Sequence, residues 1–174
     1  MMGAGKSSVG ACLCRRTGLG LFDTDEIVAS KFGMSIPEIF ANHGEKKFRE
    51  AETEALHRMR TEEQTIIITG GGIVLRKENV EILKSQAAIV WLDGDEETLF
   101  ARASRKQNRP LLQTKNPRKA FSQILAARRP LYANIANIRV DTSVLTDEEV
   151  AVAILAKLRR MNPKPESPVR TRAS

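Results

Sequence analysis

Gly3-Ala4-Gly5-Lys6-Ser7-Ser8 packs two glycines and an alanine directly against Lys-Ser, and a helical stretch from Ser7 to Arg16 follows. Glycines let backbone N–H groups curl around an anion, and a helix N-terminus adds the positive end of its dipole. Gly5-Lys6-Ser7 completes the phosphate-loop signature G-x-x-x-x-G-K-[ST]. In such a loop Lys6 reaches the β- and γ-phosphates of ATP, the Ser7 hydroxyl ligates Mg²⁺, and Gly3, Ala4, Gly5 and Ser8 wrap the nucleotide. The first glycine of the signature and the strand that feeds it would precede Met1, so the expectation is an upstream start, a fragment or a decayed copy.

Working outward, Leu19 to Phe22 reads as a short apolar strand ending in Asp23-Thr24-Asp25. Ser35 and Glu38 have capping-box spacing, and Phe48, Ala51, Ala55, Leu56 and Met59 recur at helical spacing within Glu45 to Arg60. Thr65-Ile66-Ile67-Ile68-Thr69 is a β-branched run suited to a strand buried on both faces of a parallel sheet, and it ends in Gly70-Gly71-Gly72. Ala87 to Leu92 predicts another buried strand, Asp95 to Arg105 a helix, and Ile138 to Asp141 a last strand. Thr146-Asp147-Glu148-Glu149 caps a helix to about Arg160. Strands alternating with helices predict an α/β doubly wound domain over residues 1–160. The polar, basic stretch from Ser104 to Pro117 predicts a mobile loop, and the proline-containing basic residues 161–174 a disordered tail.

Composition narrows the function. A chain of 174 residues with 41% hydrophobic content fills one core without disulfides. Cys12 and Cys14 stand two apart on the predicted first helix, pointing in different directions, and read as packing residues. His43 and His57 lack metal-ligand spacing. A net charge of +7 suits anionic substrates, and 5% aromatic content offers few stacking platforms for nucleic acid. With no leader pattern, no long apolar run and no apolar surface stripe, the expectation is a cytoplasmic monomer without membrane contact.

Asp23 and Asp25 sit where ligands bind in open α/β sheets, beyond the carboxyl end of a strand. Strand alternation would point both the same way, one toward Mg²⁺ and the other toward an acceptor hydroxyl; a plain capping turn is the bland alternative. Gly3-Ala4-Gly5-Lys6-Ser7, Phe22-Asp23-Thr24-Asp25, Phe48-Arg49-Glu50-Ala51-Glu52, Gly70-Gly71-Gly72, Arg109-Pro110-Leu111-Leu112, Arg128-Arg129-Pro130-Leu131-Tyr132 and Val140-Asp141-Thr142, in that order and spacing, resemble the shikimate kinase family. The resemblance spans residues 1–160 and implies a fold of the nucleoside-monophosphate kinase type. It carries a five-stranded parallel sheet and a lid at about 104–117. It also implies transfer from MgATP to the 3-hydroxyl of shikimate, within aromatic amino-acid biosynthesis.

By matching position, Asp25 would orient that hydroxyl and accept its proton, and Asp23 would help hold Mg²⁺. Arg49 and Arg128 would grip the shikimate carboxylate, with Gly70, Gly71 and Gly72 approaching the ring. Arg109 would stabilise the transferring phosphoryl group, and Arg102 would flank the adenine. Physical chemistry supports these roles, since a planar guanidinium binds carboxylate bidentately and phosphoryl transfer needs positioning and neutralised charge. Arg49 has a second reading as a partner of Glu45 or Glu52 on a charged helix face, and Arg109 one as an ordinary loop cation. Ser143-Val144-Leu145 lacks the basic residue and proline the family often carries there. Competing readings are a gluconate or nucleoside-monophosphate kinase on the same scaffold, and an inactive binding remnant.

Overall fold

The structure, a computed structural model, describes residues 1–59, 63–105 and 110–161. Its elements run α1 (Lys6–Thr17), β1 (Gly20–Asp23), α2 (Thr24–Phe32), α3 (Ile36–Arg58), β2 (Thr65–Ile68), α4 (Lys77–Gln86) and β3 (Val90–Asp93). Then follow α5 (Glu96–Ser104), α6 (Pro117–Ile135), β4 (Ile138–Asp141) and α7 (Asp147–Met161), with 3-10 turns at Ile73–Leu75 and Pro110–Leu112. Parallel strands flanked by helices make this the expected α/β architecture.

The caps lie where the sequence puts them. Ser35 and Glu38 close a capping box at the start of α3. Glu149 accepts from the Thr146 backbone N–H and hydroxyl, each at 2.8 Å, ahead of α7. The two helices predicted within residues 36–60 meet at Gly44, where the backbone leaves helical geometry at φ 76°, ψ 168°. Helices α2, α4 and α6 are absent from the sequence-based expectation. In α6 the break signal of Pro130 is overridden because Phe121, Leu125, Tyr132 and Ile135 are all buried, and tertiary packing outweighs local propensity.

The strands form two parallel pairs, β1 with β2 and β3 with β4. Gly20 lies opposite Thr65 and Asp23 opposite Ile68; Val90 lies opposite Ile138 and Asp93 opposite Asp141. This corrects the single five-stranded sheet implied by resemblance: among the described residues no ladder joins β2 to β3. No strand feeding the phosphate loop is among the four. With one paired edge, β2 is less enclosed than its sequence predicts, Thr65, Ile66 and Ile67 being half-buried and only Ile68 buried.

Side chains bridge the two pairs. One continuous cluster takes in Met1, Val9, Leu56, Trp91, Leu99 and Phe121. At ~25 cal/mol per Å², each large side chain so buried contributes roughly 1.5–3 kcal/mol before entropy is counted. A second cluster, centred on Val28, Ile39 and Phe48, joins α2 to α3. Cys12 is buried and Cys14 half-buried, both as free thiols. Among the described residues no helix is long and apolar enough to cross a membrane. Arg109 and residues 162–174 of the predicted tail lie outside the described residues. Of the predicted loop, Pro110–Leu112 is an ordered turn whose Leu112 joins the core.

Candidate active site

Helix α1 packs on both β1 and β2, and Met1, at the head of the phosphate loop, lies beside Gly71, just past the end of β2. Gly5 caps α1 in the left-handed region, at φ 77°, a conformation glycine adopts at no steric cost. A Cβ on Gly3 would collide with the Leu99 carbonyl of α5. The Lys6 ammonium donates to the Met1 carbonyl at 2.7 Å, folding the loop back on itself. Ser7 and Ser8 lie exposed in the first turn of α1, where unsatisfied N–H groups and the dipole favour anions.

Asp23 serves as the N-cap of α2, its Oδ1 accepting from the Asp25 N–H at 2.9 Å. The alternation argument for Asp23 and Asp25 is therefore corrected, because β1 ends at Asp23 and Asp25 belongs to the first helical turn. The buried Thr24 hydroxyl accepts from the Gly70 N–H at 3.3 Å and ties this turn to the glycine run.

Each glycine of that run faces a different set of polar groups. A Cβ on Gly70 would lie 2.6 Å from Glu52 Oε1 and 2.8 Å from Asp25 Oδ1. One on Gly71 would lie 3.2 Å from the Tyr132 hydroxyl and 3.8 Å from Arg128 Nη1. One on Gly72 would run into the Arg49 guanidinium. Lacking side chains, the three glycines let two carboxyl groups, two guanidinium groups and a phenol approach one short stretch of backbone.

Arg49 is nearly buried and does pair with both acids. Its Nη1 donates to Glu52 Oε2 at 2.5 Å, and its Nη2 and Nε donate to Glu45 Oε1 at 2.8 and 3.1 Å. Burial opposes the Arg49 charge, yet Glu52 and Glu45 hold its pKa above the ordinary value. Glu52 is wholly buried, and burial lifts its carboxyl above the usual range against the pull of Arg49. Its second oxygen, Oε1, has no hydrogen-bond partner among the described residues. Beside Gly71, α6 presents buried Arg128 and, one turn on, Tyr132, whose hydroxyl donates to the Gly71 carbonyl. Burial raises the Tyr132 pKa, with Arg128 opposing.

Arg102 is tied to the segment after β4, donating to the Thr142 carbonyl at 2.9 Å and the Ser143 carbonyl at 3.4 Å.

A family model described as "SKI: Shikimate kinase" matches residues 2–159. The chain belongs to the shikimate kinase family. It is 40% identical over 161 residues to the shikimate kinase of Thermodesulfovibrio yellowstonii, covering 92% of each chain. It is 39% identical to that of Symbiobacterium thermophilum, covering 91% of this chain and 92% of the relative. The solved structure of the Acinetobacter baumannii shikimate kinase in complex with shikimate superposes with a TM-score of 0.89 at 34% identity, over 94% of this chain and 91% of that one.

Within this shikimate kinase scaffold the predicted residues Asp25, Arg49 and Arg128 gather against the predicted glycines Gly70, Gly71 and Gly72, with Met1, at the head of the phosphate loop, beside Gly71. Glu52 and Tyr132 were not predicted as members. Their signal was present, since Glu52 lies three residues after Arg49 and Tyr132 four after Arg128, spacings that share a helix face.

Proposed function

We propose that the chain catalyses ATP-dependent phosphorylation of the 3-hydroxyl of shikimate. The observation that carries this reading is the glycine run, faced in turn by carboxyl groups, by Arg128 with Tyr132, and by Arg49. Guanidinium groups suit an acceptor's carboxylate, and a carboxylate suits its reacting hydroxyl. Asp25 orients that hydroxyl and takes its proton as the oxygen bonds to the γ-phosphorus and the bond to the ADP oxygen breaks. Lys6 exchanges the Met1 carbonyl for phosphate oxygens, with Gly3, Ala4, Gly5, Ser7 and Ser8 cradling the nucleotide. Arg109 neutralises the phosphoryl group within a lid at about 104–117, and Arg102 flanks the base.

Mg²⁺ fits the residues present. Among the described residues no three His, Cys, Asp or Glu side chains gather to hold a metal, and Mg²⁺ commonly relies on one or two protein oxygens with nucleotide phosphates and water. Exposed Ser7 and half-buried Asp23 would hold it, and bound there it would offset phosphate charge.

The test is ADP release by the purified chain with MgATP and shikimate, with gluconate and AMP as control acceptors. Release with shikimate alone is expected. Release with a control acceptor instead would overturn the acceptor assignment, and no release from a folded sample would favour a binding remnant.

A further inference from the structure

Arg129, the neighbour of Arg128 on α6, reaches the end of β3 instead of the glycine run. Its Nη2 donates to the Gly94 carbonyl at 2.7 Å and lies 3.4 Å from Asp93 Oδ1. Asp93 ends β3 with its side chain only 1% exposed, and its other oxygen accepts from Arg139 Nη2 at 2.7 Å. A buried carboxylate needs paired charge and hydrogen bonds, and these two arginines provide them from α6 and β4. Arg139 in turn lies over the Trp91 ring, 4.8 Å from its centroid. Trp91 stacks on Tyr132 at 5.9 Å between centroids.

These contacts form a closed frame. Arg129 fixes α6 to the end of β3, while Tyr132 fixes the next turn of α6 to Gly71. Arg128 lies beside the first anchor and one turn before the second, so its position follows from theirs. We propose that Arg129, through Asp93 and the Gly94 carbonyl, is a positioning residue that sets Arg128 for the acceptor's carboxylate. This rests on the reading of Arg128 given above. Arg129 acts at Asp93 and Gly94, fixing the helix from which Arg128 projects, and bidentate recognition tolerates little misalignment.

The experiment is a double-mutant cycle on the whole chain with Arg129→Met and Arg128→Met, each checked for folding by thermal melt. Arg129→Met is expected to raise the KM for shikimate about tenfold while the KM for ATP and kcat stay within about twofold. In the Arg128→Met background the same change should add less than about twofold. Arg129→Lys, which keeps the charge and one donor nitrogen but not the planar fork, should restore part of the affinity. An undiminished effect of Arg129→Met without Arg128, or equal losses for shikimate and ATP, would overturn the proposal. If Arg128→Met lowers shikimate affinity and Arg129→Met does not, the positioning role alone is refuted. If Arg128→Met has no effect on shikimate, the site reading falls and the positioning role with it. Should Arg129→Met not fold, Arg129→Lys in both backgrounds decides by the same criterion.

Discussion

Gly70→Ala adds one methyl group at the point where two acidic side chains converge. The new carbon would stand 2.6 Å from Glu52 Oε1 and 2.8 Å from Asp25 Oδ1, where ordinary contact begins at 3.4 Å. Each carboxyl must therefore retreat by about 0.6–0.8 Å, and Gly70 lies outside the positive-φ region, so backbone strain adds nothing. Glu52 has little room to yield, being wholly buried with Oε2 held by Arg49. Overpacking of this kind costs about 1–3 kcal/mol, roughly 3–10 °C in Tm for a chain of this size. A displacement approaching 1 Å at a proton-accepting carboxylate costs up to about 10²-fold. The expected result is a drop in kcat/KM for shikimate of about 10- to 100-fold with the KM for ATP unchanged, measured by coupled ADP release. Gly20→Ala is the control, since its Cβ would meet only Thr65 Cγ2 at 3.5 Å. A Gly70→Ala enzyme with wild-type kcat/KM, whether or not its Tm falls, would show that this carboxyl pair does not define the acceptor site.

Two further changes probe the same groups. Burial lifts the Glu52 carboxyl, so the folded chain keeps this proton at pH values where the unfolded chain has lost it; stability then falls as pH climbs from the ordinary carboxylate value through the raised one, and the penalty is absent below both. Glu52→Gln should flatten that part of the stability curve in urea denaturation between about pH 4 and 8, and curves that remain parallel would contradict the burial argument. Asp25→Asn should lower kcat by about 10²–10⁴-fold while calorimetric ATP binding stays near wild type, and near-normal turnover would remove Asp25 from proton transfer.

The fold was legible wherever a local signal sufficed. The capping boxes at Ser35 and Thr146, the glycine-flanked start of α1 and the strand at Ile138–Asp141 each depend on a few neighbouring residues, and each appears where predicted. Local signals misled where tertiary packing decides. No helix is predicted over α6, which carries Pro130 in its interior, and alternation along β1 fails for Asp25 because the Asp23 cap starts a helix first. At the site, Arg49 showed two separate readings, ion pair or carboxylate grip. It is held by Glu45 and Glu52 while lying against Gly72. The resemblance supplied the acceptor-side residues, whereas the Glu52–Asp25 convergence and the Arg129–Asp93 contact join positions dozens of residues apart that no local pattern relates.

The separation of the strands into two pairs bears on what a ligand does for this molecule. Asp25 and the glycine run adjoin the β1–β2 pair, while α6, carrying Arg128, is moored to the β3–β4 pair through Arg129. Among the described residues no shared ladder joins the halves; they meet through packed side chains and through bonds such as Tyr132–Gly71 and the Arg15 and Arg16 ion pairs to Glu148, which link α1 on the first pair to α7 on the second. On the proposed reading of Arg49 and Arg128, an acceptor gripped by both would be a keystone between two blocks. Part of its binding energy would go into holding the blocks in register, so the filled site and the sturdier molecule would be one state.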